Sequence, residues 1–296
     1  MAQGLQKGAD PPDPGSSPAE KPGPHEGILD PALAARRFLL RRYHPGERLA
    51  AFVEHHWVIR WDLVDQPPYT AEVLPHPSLN VAFTPERGWI TGVTTGTYAY
   101  EVRDSGFIVG TMFRPGGFRP FWRRSVAGLT DRVADAADAF AGGDAGFRAG
   151  LAVKAAEGDD AALVAAMEGL LLQVDPVLDR NGTLLNELLA ALASDPELRT
   201  VASLADRAHV GTRTLQALFR EYVGVGPKWV LMRHRLIAAV EVAARRPSPD
   251  WAEVAAELGY ADQPHFINDF RRLVGKPPSL YAQTIESPDA VAAQPG

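Results

Sequence analysis

No cysteine occurs in the 296 residues of this chain. Disulfides, thiolate metal sites and thiol nucleophiles are thereby excluded. Long apolar runs are missing too: residues 163–172 are apolar but broken by Glu168, and too short to span a membrane. The first residues are rich in proline, glycine and serine and lack the basic-then-apolar order of an export signal, so a cytoplasmic address is expected. Histidines are poorly placed for a metal. His55 and His56 are adjacent, so on a strand they point to opposite faces, and neither they nor His76 belongs to a His-x-His or acidic ligand pattern. There is no Gly-x-Ser-x-Gly elbow, no phosphate-cradling Gly-Lys-Ser/Thr loop and no His-Glu-x-x-His motif. An enzyme is not expected, nor a cofactor or a bound metal.

The chain is not basic either: 30 Lys/Arg stand against 36 Asp/Glu, a net charge of −6. The balance is uneven. From Asp195 to Gln283 there are 12 basic and 10 acidic residues, while the rest carries 18 against 26. Any binding of a polyanion by the C-terminal segment must therefore depend on where single arginines stand, not on a broad field.

What the sequence does contain is one unit written twice. The first copy runs from Val201 through Leu204-Ala205, Phe219-Arg220 and Gly224 to Pro227; the second runs from Trp251 through Val254-Ala255, Phe270-Arg271 and Gly275 to Pro278. Each reads as a short apolar helix, a tight turn and a second helix, the layout whose second helix enters the DNA major groove. In the first copy Leu215, Leu218, Phe219 and Tyr222 fall at helical spacing and predict a buried stripe, which leaves Arg213, Gln216, Ala217 and Arg220 outward. In the second, Phe266, Phe270 and Leu273 form the stripe; Gln263, His265, Asn268, Arg271 and Arg272 lie off it. Arginine can fork onto guanine and Gln or Asn onto adenine, so both faces carry base-reading chemistry. Pro264 suits a first helical turn, and Gly224 and Gly275 suit helix stops. Residues 228–246 predict a longer helix between the copies, packing through Val230, Leu236, Val240 and Ala243.

Residues 195–283, with Gly259-Tyr260-Ala261-Asp262-Gln263-Pro264-His265-Phe266, Phe270-Arg271-Arg272, Gly275 and Pro278, resemble the DNA-binding domain of AraC/XylS-type transcription regulators. The resemblance implies two helix-turn-helix subdomains joined by a long helix, reading successive major-groove segments about one helical turn apart. It places the base-reading positions at Arg213, Gln216 and Ala217, and at Gln263, Pro264, Ile267 and Asn268. Thr212, Arg220, His265, Arg271, Arg272 and Lys276 are expected at the DNA backbone. Ala217, Pro264 and Ile267 offer apolar contact only, so few residues carry specificity. Asp269 stands where the first copy has Leu218, and His209 where the second has Gly259. The missing cysteine excludes the methyl-transferring DNA repair that some relatives of this module perform.

The front of the chain differs. Strands are predicted at residues 56–61, 72–74, 79–83, 89–92, 98–102 and 107–113 after a short helix near 49–54, with Gly, Pro and Asn between them. This predicts a mostly antiparallel, barrel-like β domain, and its composition resembles the β-rich sensor found in a subset of AraC-type regulators. His76, Asn80, Arg114 and Trp57 are the candidates for effector binding, with Arg114 suited to a carboxylate or phosphate. The competing reading gives these residues to turns and core. The expected organisation is an α+β, multi-domain chain: a disordered tail over 1–27, the β-rich sensor over 28–140, a helical connector over 141–194, the tandem reader over 195–285 and a flexible tail over 286–296. The expected function is a DNA-binding transcription regulator controlled by a ligand or partner. Its partners would be double-stranded promoter or operator DNA, RNA polymerase if it activates, a small-molecule effector and a second copy in a homodimer, with no membrane. The alternative is a DNA-tethered interaction module or enzyme without an effector.

Overall fold

Strands alternate through the N-terminal half of the computed structural model, which describes residues 27–286 apart from 196, 247 and 248. The tails expected over 1–27 and 286–296 therefore lie outside the described residues, save Gly27 and Glu286. Helix α1 (Pro31–Arg37) starts where Asp30 accepts from Leu33 N–H and Pro31 needs no partner. Eight strands follow: β1 (Leu39–Tyr43), β2 (Val53–Leu63), β3 (Tyr69–Val73), β4 (Asn80–Phe83), β5 (Gly88–Thr91), β6 (Tyr98–Val102), β7 (Asp104–Phe113) and β8 (Val133–Asp135). Six form one sheet in the order β1-β2-β7-β4-β5-β8, and β3 pairs with β6 in a separate ribbon; every pairing is antiparallel.

The helix expected near 49–54 is instead a turn leading into β2. Phe52 N–H donates to Leu49 and Val53 N–H to the same carbonyl, but Val53 already pairs with Phe113. Leu49, Phe52 and Val53 are all buried by this bend without a helical stripe. Residues 141–144, expected to open the helical connector, form a turn, and the first connector helix begins at Ala145.

One face of the sheet carries Val58, Val81, Phe83, Val109 and Phe113 into a core covered by α2 (Arg119–Trp122), α3 (Ala145–Ala156), α4 (Asp160–Leu172) and α5 (Arg180–Leu192). His56 points into this side, 2.8 Å from Thr111 Oγ1 and 3.3 Å from Glu168; neighbouring His55 faces the other side. That opposite face carries Trp57 and Trp61. Their rings lie on Gly110 and Gly106, where an added Cβ would come within 2.3 and 2.6 Å of the indoles.

The C-terminal helices repeat as the sequence repeats: α6 (Val201–Arg207) and α7 (Thr212–Tyr222), then α9 (Trp251–Glu257) and α10 (Gln263–Val274), with α8 (Pro227–Arg245) and α11 (Pro278–Glu286) each beginning at a proline. The turns match as well. His209 (φ 52°) and Gly259 (φ 75°) are both left-handed, as are Gly224 and Gly275 after the second helices. His209 thus holds a conformation that costs a non-glycine residue about 1–2 kcal/mol, offset by glycine's greater chain entropy. His209→Gly is expected to stabilise the first reader by about 0.5–1 kcal/mol in urea melts; destabilisation would show that the imidazole holds the turn.

Burial divides the repeat unequally. Leu204, Leu215, Phe219 and Tyr222 of the first copy continue the core that begins under the sheet. Val254, Phe266, Phe270 and Leu273 build a second core with α8, to which the N-terminal half adds Leu29 and Leu74.

Candidate nucleic-acid interface

In α7, Leu215, Phe219 and Tyr222 face inward, so Thr212, Arg213, Gln216, Ala217 and Arg220 lie exposed along the outer side. Gly211 stands at the helix start without a side-chain cap, leaving first-turn N–H groups open to a phosphate oxygen. In α10, Asp262 accepts from His265 N–H at 2.8 Å and Pro264 sits in the first turn. Pro264, His265, Asn268 and Arg271 are exposed, and Gln263 and Lys276 half-buried. Ile267 is also half-buried and packs against the second core, so only part of its side chain faces outward.

Asp269, at a position the first copy gives to packing, is a polar anchor. Its carboxylate accepts from Arg272 at 2.8 Å and from the Tyr260 hydroxyl at 3.4 Å, and lies 3.5 Å from His265 Nε2. Burial and this carboxylate push the Tyr260 hydroxyl up to about 12. Arg235 of α8 stacks on the Tyr260 ring from 5.0 Å. The second reading helix is therefore tied to its own turn and to the connecting helix. Arg272, though 65% exposed, is engaged with Asp269 and with Met232 Sδ at 3.2 Å.

The N-terminal half holds both readers at equivalent places. The Thr130 hydroxyl donates to the Gly224 carbonyl at 2.7 Å in the closing turn of the first copy, and the Thr97 hydroxyl to the Leu273 carbonyl at 3.2 Å in the last turn of α10, beside the closing turn of the second. The two loops are braced to one another, since Asp131 accepts from Thr95 N–H at 2.6 Å and from its hydroxyl at 2.9 Å. Arg119 adds an ion pair to Glu221 and lies over the Tyr222 ring, whose hydroxyl donates to Asp179 at 2.6 Å. These contacts grip the inner side of the readers and leave the outer faces open.

Of the candidate effector residues, Trp57 donates to Asn80 Oδ1 at 3.3 Å, and His76 lies 2.9 Å from Ser78 Oγ. Arg114 stands apart from them, donating to the Ala50 carbonyl and pairing with Glu54. One neighbour escaped the sequence reading: Arg233 of α8, whose Nε donates to the Pro75 carbonyl. Among the described residues no group of three or more His, Asp or Glu is placed to hold a metal, and no helix is long and apolar enough to cross a membrane.

Residues 204–284 match a family described as a helix-turn-helix domain, and residues 41–135 match a domain of unknown function (DUF6597). Over 97 residues the chain is 38% identical to an AraC-like transcription regulator of Streptomyces lividans, which covers 31% of each protein. Over 82 residues it is 34% identical to the transcriptional regulator LumQ of Photobacterium leiognathi, covering 28% of this chain and 33% of that one. The chain thus spans about a third of the length of the curated relatives it matches. Among solved structures, the DNA-binding domain of AdpA in complex with a target DNA is similar at 25% identity, covering 38% of this chain and 97% of that chain, with a TM-score of 0.31. The tandem unit is a DNA-binding helix-turn-helix module. More particularly, over this segment the chain is similar to AraC-like regulators, and it is joined here to a β-rich domain of unknown function.

Proposed function

We propose that this chain is a sequence-specific transcription regulator whose two readers engage successive major-groove segments of promoter DNA, under the control of an effector or partner of the N-terminal domain. The observation that carries this reading is the pairing of two outward polar faces with an N-terminal half that grips both readers from behind, through Thr130 and Thr97. Arg213, Gln216 and Asn268 would read bases; Thr212, Arg220, His265, Arg271 and Lys276 would meet phosphates, with Arg272 available on exchange of its bond to Asp269. A change in the braced loops would alter how the readers are held. Promoter binding implies a cytoplasmic site of action, contact with RNA polymerase if it activates, and room for a second copy on repeated half-sites.

The reading is tested by selecting fragments of the source genome with the purified chain at ~150 mM salt. A recovered site with two short elements supports it; no enrichment, with and without extracts of the source cell, overturns it. At such a site Arg213→Ala is expected to cost about 1–3 kcal/mol, confined to one base position. An equal loss on all sequences would make Arg213 a phosphate contact.

A further inference from the structure

The helical cover of the sheet encloses a cavity of about 350 Å³ where the β-rich domain meets the connector. Its floor is apolar: Phe121 and Trp122 of α2, Phe140 from the turn after β8, and Leu170 of α4, all buried. The Phe121 and Phe140 rings meet at 5.9 Å. Gln173, the C-cap of α4, borders the space opposite Gly142, where an added Cβ would come within 2.4 Å of its Oε1 and 3.1 Å of Leu170 Cδ1. The volume falls in the ~300–1,000 Å³ range of small-molecule sites, and an apolar floor with a few polar groups is their usual composition.

Two opposite charges stand at the rim. Arg123 closes α2 in a left-handed conformation (φ 58°), strained for a residue with a Cβ. That turn sends consecutive arginines apart. Arg124 lies over the Trp122 ring at 3.8 Å, while Arg123 lines the cavity and donates through Nη2 to the Val174 carbonyl at 3.1 Å. Asp138, the last residue of the 3₁₀ turn Ala136–Asp138, lines the same cavity and is exposed. Among the described residues no side chain pairs with its carboxylate. A singly charged ligand would bring its charge beside a like one. A zwitterion with an aromatic body meets both charges and the rings.

We propose that this cavity binds a free α-amino acid with an aromatic side chain, its carboxylate on Arg123, its ammonium on Asp138 and Gln173 Oε1, and its ring against the aromatic floor. Both walls of the cavity run on to Tyr222 of the first reader. Helix α2 begins at Arg119, which pairs with Glu221 and lies over the Tyr222 ring. The end of α4 leads through Val174 to Asp179, which accepts from the Tyr222 hydroxyl at 2.6 Å. A ligand that joins α2 to the end of α4 therefore acts on both grips that hold the last turn of α7. This inference rests on the effector control proposed above, and its test reads ligand binding without DNA, so that each can fail alone.

Titration calorimetry on the full chain would use L-phenylalanine as probe, with 3-phenylpropionate lacking the ammonium and phenethylamine lacking the carboxylate. Saturable phenylalanine binding is expected, with both analogues at least about tenfold weaker. Asp138→Asn is expected to weaken phenylalanine by at least about tenfold while leaving 3-phenylpropionate no weaker than before. Arg123→Gly, which suits the left-handed backbone and removes the guanidinium, is expected to weaken phenylalanine by a similar factor. Gly142→Val, which fills the space and changes no charge, is expected to abolish binding of all three. Asp138→Asn alters one exposed side chain, so it decides the matter even if the other variants do not fold. No saturable phenylalanine binding, an analogue that binds as tightly, or undiminished binding in Asp138→Asn would overturn the site.

Discussion

Phe270→Ala is expected to cost the second reader about 3–5 kcal/mol, since the ring is fully buried and its removal leaves a cavity that rigid neighbours fill only in part. Those neighbours are themselves rings: Phe266 at 5.8 Å, Tyr281 at 5.9 Å and Trp251 at 6.3 Å. The loss falls on one side of a divided molecule. The core around Phe270 takes only Leu29 and Leu74 from the N-terminal half, whereas Phe219, the matching residue of the first copy, belongs to the core beneath the sheet. Hydrogen exchange should therefore show α9–α11 losing protection while α7 and β7 keep theirs. Concerted loss of protection in α7 and β7 would mean that the two cores unfold as one. DNA binding should fall to that of a single reader.

Asp160→Ala is the second large effect, expected at about 3 kcal/mol or more, because removing the carboxylate strands the Arg60 guanidinium that it pairs. The carboxylate is 6% exposed. It accepts from Arg60 Nε at 2.9 Å and Nη2 at 2.7 Å, and from the Tyr43 hydroxyl at 2.9 Å, with Arg41 at 3.4 Å. As the first residue of α4 it also faces that helix's positive end. Burial and then the bond to Asp160 push Tyr43 up to about 12. The network pins α4 to β1 and β2, so its loss loosens the sheet from its helical cover. A thermal melt of the variant should shift down by several degrees; an unchanged midpoint would mean that solvent already screens Arg60.

How far the sequence reveals this molecule depends on how local each signal is. The reader was legible because its punctuation is local: the left-handed Gly224 and Gly275, the prolines opening α8 and α11, and an apolar stripe that needs only neighbours on its own helix. The connecting helix expected over 228–246 spans Pro227–Arg245, and the strand expected over 98–102 is β6. Edge strand β1 was missed because the residue types Leu39-Leu40-Arg41-Arg42-Tyr43 do not alternate between apolar and polar, although their burial does, and only Tyr43 is fully buried. The turn before β2 looked helical because Leu49, Phe52 and Val53 have helical spacing but are buried by a bend. Asp269 looked misplaced until its partners Tyr260, His265 and Arg272 were assembled. Arg233 could not be linked to Pro75 and His76 from sequence, since 158 residues separate the bonded pair. Nothing local marks such a meeting.

The most direct measurement is the affinity of the chain for its selected site when ~5 base pairs, about half a helical turn, are inserted between the two elements. Two readers fixed by α8, Thr130 and Thr97 to one side of the duplex cannot both follow that rotation. Affinity should drop to that of a site with one element destroyed, and recover when the insert is ~10 base pairs only if the linkage can stretch. Unchanged binding with the half-turn insert would contradict a rigid tandem reader.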